Sequence, residues 1–240
     1  MYELEYYEKV SELLKTAYDR NKEKIALFAQ KVAECIKNDK MIHTFGTGHS
    51  HMIGIELFAR AGGLGNVNAI LDPDVLTAFG AQRSGAIEKV PGLADIIFEN
   101  YKIQEGDIMI ISSNSGRNAL PIEMAMKCRK EGIFVVAVTN LKQSTESVSR
   151  HFSGKKLYEL ADCVLDNCVP YGDALLEIDG VLTGPGSSVS SIVLLNTVIT
   201  EALKICAKED IKAAVFQSQN VDGFNNDAIY EKYEGRVKHF

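Results

Sequence analysis

The stretch 108–138, IMIISSNSGRNALPIEMAMKCRKEGIFVVAV, reads as strand, loop, helix and strand. Ile108–Ser112 and Ile133–Val138 are continuous apolar runs rather than alternating ones, the pattern of strands covered on both faces of a parallel sheet. Between them lie the small polar residues Ser113 to Asn118 and a helix running to Glu131. The same unit recurs on either side. Met41–Phe45 is a strand candidate, followed by Gly46-Thr47-Gly48 and a helix from Ser50 to Arg60; Asn66–Leu71 is a second strand and Cys163–Leu165 a short fifth. Repeated units of this kind, with right-handed crossovers, predict a doubly wound α/β sandwich of three layers around a five-stranded parallel sheet. Residues 72–90 carry no strong period, and Pro91–Tyr101 reads as a short helix.

The two ends read differently. Residues 3 to about 38 predict two N-terminal helices, the second with an apolar stripe of Ile25, Phe28, Ala29, Val32, Ala33 and Ile36. Gly186–Ala207 is a helix apolar on nearly every face, which predicts burial all round, partly by another subunit. Its Asn196, Thr197, Glu201 and Lys204 argue against a membrane span. Phe216–Asn226, rich in amides, reads as an ordered loop. No linker divides the chain, so one domain is expected: helices over 1–39, an α/β core over 40–207 and a C-terminal extension over 208–240.

The 240 residues are 46% apolar and 24% charged, enough to bury a core without a disulfide or metal staple. A net charge of −6, from 26 basic and 32 acidic residues, excludes a protein that coats nucleic acid. It leaves room for a local anion site built from backbone N–H groups. The five scattered cysteines predict reduced thiols in a cytoplasmic protein, and Cys163-x4-Cys168 is no zinc spacing. The acidic start MYELEYYEKV does not read as a signal peptide, and no membrane association is expected.

Ligands of parallel sheets bind beyond the carboxyl ends of the strands. Two loops fall there: Gly46-Thr47-Gly48-His49-Ser50 and Ser112-Ser113-Asn114-Ser115-Gly116-Arg117-Asn118. Each brings glycine, hydroxyls and a helix N-terminus to one place, a set that favours a bound anion. Thr183-Gly184-Pro185-Gly186-Ser187-Ser188 opens the late helix in the same way. The three loops predict one convergent anion pocket, with three ordinary helix caps as the alternative. Neither of the first two ends in the Gly-Lys-Ser/Thr of an ATPase loop. The third glycine of a dinucleotide fingerprint would fall at His51. Glu56, His49 and His51 are the candidate acids and bases beside the first loop. His43 sits inside a strand. Asp173 and Glu177 would share a face if helical, and Arg150, His151 and Lys155 form a basic cluster after the fourth strand.

Ser113-x-Ser115-Gly116 between strand and helix, Gly46-x-Gly48-x-Ser50 before it and Ser187-Ser188 after it resemble the sugar isomerase (SIS) domain family over about residues 21–207. Ser149-Arg150-His151-x-x-Gly154-Lys155, Asp166-Asn167-x-x-Pro170-x-Gly172-Asp173 and Asn220-Val221-Asp222-Gly223 are similar to an uncharacterised bacterial branch related to phosphoheptose isomerase. The resemblance implies a flavodoxin-like fold and a phosphorylated sugar held by Gly48, Ser50, Ser113, Asn114, Ser115, Gly116, Asn118, Ser187 and Ser188. It also implies a homodimer or homotetramer with sites near the subunit interface; no cofactor or metal is expected. The implied activity is aldose–ketose isomerisation, with Glu56 and His49 or His51 as candidates to move protons. A non-catalytic phosphosugar sensor and a lyase like N-acetylmuramate-6-phosphate etherase are the alternatives. The chain departs from the family in three places. Asn118 stands where a Ser or Thr is usual. Arg60 stands where relatives carry a glutamate ten residues after the first-loop serine. The late helix offers Asn196 but no histidine.

Overall fold

The structure, a computed structural model, describes residues 4–240. Strands β1 (Ile42–Gly46), β2 (Val67–Ala69), β3 (Ile108–Ser112), β4 (Phe134–Thr139) and β5 (Cys163–Asp166) form one parallel sheet in the order β2-β1-β3-β4-β5. Ile42 lies opposite Ile108, Ile108 opposite Phe134, and Val136 opposite Cys163. Side chains alternate between the two faces, and both faces are buried, which is why the strands lack a polar period. On one face, α1 (Glu5–Lys37), α2 (His51–Leu57) and α8 (Ser187–Lys208) pack Phe28, Val32, Ile53, Leu57, Leu195 and Val198 over Ile42, Ile108, Ile110 and Val136. On the other, α4 (Leu93–Glu99), α5 (Ala119–Lys130) and α7 (Leu157–Leu160) pack Ile97, Phe98, Leu120, Met124 and Leu157 over Phe45, Met109, Ile111 and Val135. Short helices α3 (Ala81–Ile87) and α6 (Leu141–Glu146), a hairpin of β6 (Leu176–Ile178) with β7 (Val181–Thr183), and α9 (Asp227–Tyr233) complete the chain.

Four expectations change. The two N-terminal helices are one, α1, about 50 Å long at 1.5 Å per residue. The polar residue within its stripe, Asn21, is fully buried. Its Nδ2 donates to the Asp166 carbonyl (2.8 Å) and its Oδ1 accepts from the Asp166 amide (3.0 Å), so the side chain takes the place of a neighbouring strand at the sheet edge. Helix α2 stops at Leu57 rather than Arg60, because Phe58 is extended and Ala59 turns into left-handed backbone at φ 46°. Helix α8 is not covered all round within the single chain: Val189 and Val193 stay 36% and 41% exposed. Asp173 and Glu177 do not share a helix; Asp173 caps α8 and Glu177 sits on the exposed hairpin. At the start of the Phe216–Asn226 loop the Phe216 amide donates to the Gly63 carbonyl (2.9 Å), and the Phe216 and Ala214 carbonyls accept from the Gly62 and Gly65 amides (2.8 Å each). Beyond it, α9 and the following turn place Tyr233 and Val237 against Met41.

At the amino end of the sheet, buried Asp107 joins β1 to β3. It accepts from His43 Nε2 (3.0 Å), the Met41 amide (2.9 Å) and the Gln104 amide (2.9 Å). Burial pushes its carboxyl up, but these donors outweigh burial and hold it below the usual carboxylate value. A carboxyl with a depressed folded pKa stabilises the fold above its unfolded pKa and loses that contribution as pH falls through the folded one. The stability gap between wild type and Asp107→Asn should therefore be full above about pH 5 and shrink below about pH 4 in urea titrations; a gap independent of pH would refute this. Asn21→Ala leaves the Asp166 N–H and C=O without partners and should cost roughly 2–4 kcal/mol. That is a fall of roughly 5–12 °C in Tm, and a loss under about 0.5 kcal/mol would show that α1 is not anchored there.

Candidate functional site

Strands β1 and β3 are neighbours, with Gly46 opposite Ser112. The helix after β1 goes to the α1–α8 layer and the helix after β3 to the α4–α5 layer. The loops that leave these two strands must therefore diverge, and a crevice opens between them at the switch point of the winding. Both loops turn through a left-handed glycine at φ 57°, Gly48 in the first and Gly116 in the second, a conformation that side chains resist. The Gly48 amide donates to the Val75 carbonyl (3.1 Å) and to Ser84 Oγ (3.3 Å). The Gly116 amide donates to Ser113 Oγ (3.2 Å), and the Gly116 carbonyl accepts from Leu157 (2.9 Å). The Asn114 carbonyl accepts from the Asn140 amide and the Thr139 hydroxyl, which fixes the second loop over β4.

The third polar set reaches the second loop through Asn167. Its Nδ2 donates to Asn114 Oδ1 (2.9 Å), and its carbonyl accepts from Ser190 Oγ (2.8 Å) in the first turn of α8. The three segments that the sequence singled out thus gather at the carboxyl edge of the sheet.

Their side chains divide into free and committed groups. The half-buried hydroxyls of Ser50, Ser115 and Ser188 make no side-chain hydrogen bond among the described residues, and His49 is exposed at the mouth. His51 is buried and turns its Nδ1 onto the Gly48 carbonyl. Asn118 is spent at both ends: its Nδ2 donates to Glu88 Oε1 (2.5 Å) and its Oδ1 accepts from Arg150 Nη1 (3.2 Å). Ser187 donates to Asp173 through its amide (2.7 Å) and its hydroxyl (2.6 Å), so a carboxylate of the chain already occupies the N-terminus of α8. Glu56 is ion-paired to Arg60 one turn along α2. It lies roughly 9 Å along the helix from Ser50 and borders a separate hollow with Asn196 and Thr200.

Several groups at the crevice escaped the sequence reading. Glu88 accepts from Thr47 Oγ1 (2.5 Å) as well as from Asn118, and its carbonyl accepts from the Leu120 amide (3.1 Å). It therefore ties the two loops together. Nε of Arg117 is buried without a partner, a donor with no acceptor inside the second loop. Of the basic cluster, Arg150 joins the loop while His151 turns to Glu123 (3.2 Å). Glu88 and Ser84 lie in the segment without period, and only their residue types could have drawn attention to them. Among the described residues no three His, Cys, Asp or Glu side chains gather as metal ligands, and the cysteines are free thiols. A hollow of about 650 Å³ between the end of α4 and the C-terminal tail touches none of the three loops.

Comparisons with known proteins agree with this geometry. The SIS domain profile matches residues 5–140. A UPF0309 protein of Caldanaerobacter subterraneus subsp. tengcongensis is 36% identical over 245 residues, covering 100% of this chain and 98% of its own. A UPF0309 protein of Halalkalibacterium halodurans is 37% identical over 233 residues, covering 95% and 96%. Among solved structures, phosphoheptose isomerase from Neisseria gonorrhoeae superposes with a TM-score of 0.56 at 16% identity, over 82% of this chain and 95% of its own. The Vibrio vulnificus NanR protein, solved in complex with ManNAc-6P, gives 0.53 at 16% identity, over 85% of this chain and 63% of its own. The five-stranded parallel sheet, its diverging hydroxyl loops and these matches lead to one assignment: the chain belongs to the SIS domain family, among the UPF0309 proteins.

Proposed function

We propose that the protein binds a phosphorylated sugar in the crevice between β1 and β3 and interconverts its aldose and ketose forms. The observation that carries this reading is the set of unspent donors around two left-handed glycines: the hydroxyls of Ser50, Ser115 and Ser188, and the unpartnered Nε of Arg117. A phosphate fits such a set because it offers several acceptor oxygens to three neutral hydroxyls and one cationic donor. Ser113, Asn114, Ser115 and Gly116 would hold the phosphate, with Gly48, Ser50 and Ser188 closing on it. His49, which is exposed, would exchange protons with the sugar in this reading. The likeness to phosphoheptose isomerase and to a ManNAc-6P complex supports the ligand class.

A second reading, a phosphosugar sensor without turnover, draws on the Glu56–Arg60 ion pair, which occupies the carboxylate expected to act as base. A lyase would use the same pocket and proton transfer with a leaving group on the sugar.

The protein works in this reading as a cytoplasmic homodimer. Its surface of 12281 Å² exceeds the roughly 10,600 Å² expected of a compact monomer of this mass. Ile178, Val181, Leu182, Val189 and Val193 contribute exposed apolar area along the hairpin and α8. Light scattering at micromolar concentration should give twice the chain mass, and Val193→Asp should return monomers; a wild-type monomer would defeat the dimer.

Thermal stability against sugar phosphates, their parent sugars and inorganic phosphate tests the site. A ligand at 100 times its Kd should stabilise by about 2.7 kcal/mol. Ser115→Ala should weaken a phosphosugar that stabilises the wild type by roughly 10–150-fold, the worth of one lost hydrogen bond to a charged group, with little change in unliganded Tm. Equal stabilisation by the unphosphorylated sugar would reject the phosphate site, and binding without turnover would favour the sensor.

A further inference from the structure

Isomerisation needs a base beside the carbon next to the carbonyl, and the carboxylates near the crevice can be compared one by one. Asp173 is consumed by the N-terminus of α8. Asp166 accepts from the Leu141 and Cys168 amides and faces Arg20. Glu123 holds the Gly92 amide and His151. Glu56 is paired with Arg60 and lies along α2, away from the loops. Glu88 alone among them bridges both loops, and its partners there are neutral: the Thr47 hydroxyl on one oxygen and the Asn118 amide on the other. No cation pairs with it among the described residues. Each oxygen keeps a second lone pair, and the group is only half-buried.

We infer that Glu88 is the acid–base carboxylate of this site, an assignment that rests on the isomerase reading. With the phosphate on Ser113–Gly116, the Asn118 amide separates its charge from the Glu88 carboxylate, and the sugar extends from the second loop toward the first. A Glu88 oxygen takes the proton from the carbon next to the carbonyl. The C–H electron pair becomes the new C=C bond, and the carbonyl oxygen takes a proton from solvent, giving an enediol. Glu88 then returns its proton to the former carbonyl carbon. The neighbouring hydroxyl loses its proton to solvent and becomes the new carbonyl. No proton or electron pair is left over.

The sign of the binding change separates this role from that of a brace. A brace between the loops would weaken phosphosugar binding when removed. A catalytic carboxylate near a phosphate dianion repels it, so Glu88→Gln should bind equally or more tightly.

The test incubates the protein in D2O with aldose and ketose monophosphates of five to seven carbons and follows deuterium at the carbon next to the carbonyl by NMR, alongside thermal shifts with the same compounds. Wild type should incorporate deuterium. Glu88→Gln should slow incorporation at least 100-fold, within the usual range for a lost general base, and keep or increase the ligand-induced shift. Glu88→Asp, which keeps the charge one methylene further back, should retain exchange and guards against a Gln variant that fails to fold. Exchange by Glu88→Gln within threefold of wild type overturns the assignment alone. Joint loss of exchange and thermal shift in folded Glu88→Gln makes the residue a brace and also overturns it. Wild-type binding without exchange on any compound overturns the isomerase reading, and the proton-transfer role with it, while leaving the phosphosugar site in place.

Discussion

Parallel pairing of β1 with β3 is the constraint on which the site depends. The strands lie in register with Gly46 beside Ser112, yet the helices that follow belong to opposite layers. The chain leaving each strand must turn away from the other, and segment 72–90 meets the diverging loops through Val75, Ser84 and Glu88. The gap is also stiff, because both strands are buried on both faces and cannot shift without breaking the core. Donors placed by such strands need little reordering when an anion arrives, and that lowers the entropic cost of binding.

Polar side chains carry this rigidity from the periphery to the second loop. Asn21 of α1 pairs with both backbone groups of Asp166 at the edge of β5. The next residue, Asn167, reaches Asn114 in the loop and Ser190 in α8. A buried polar group without a partner is costly, so each link stabilises only while the next is in place. The arrangement makes the position of Asn114 depend on the docking of α1 and α8, the two longest helices, although neither lines the crevice with its apolar face.

The sheet was legible because strands buried on both faces leave continuous apolar runs, and β3 was located to the residue. The positions of the loops after β1 and β3 were legible because glycine and serine runs end the apolar strands, a composition that serves helix caps as well as anion sites. The unbroken α1 was not, since Asn21 reads as a polar interruption until its partner on β5, 145 residues away, is known. Segment 72–90 stayed unreadable for a related reason: Ser84 and Glu88 meet the loops through side-chain hydrogen bonds, and such contacts leave no period. Helix α9 was missed because it is short and kept in place by packing of Tyr233 and Ile229 around Gly65 rather than by its own propensity.

The acidic balance of the chain and an anion site are compatible once the distribution of charge is considered. Three helix N-termini meet at the carboxyl edge, but Asp173 has settled on that of α8 and satisfies its donors from within. The second loop keeps its own helix N-terminus, with Arg117 in the turn and Arg150 tied to its end through Asn118. Another carboxylate, Glu88, accepts from Thr47 of the first loop and from Asn118 at the end of the second. The two arginines therefore belong to the second loop and its end, while free hydroxyls are spread over all three segments and the Glu88 acceptor lies between the first two. A ligand with a phosphate at one end and hydroxyls at the other matches that order, whereas a free diphosphate would set its second charge against Glu88.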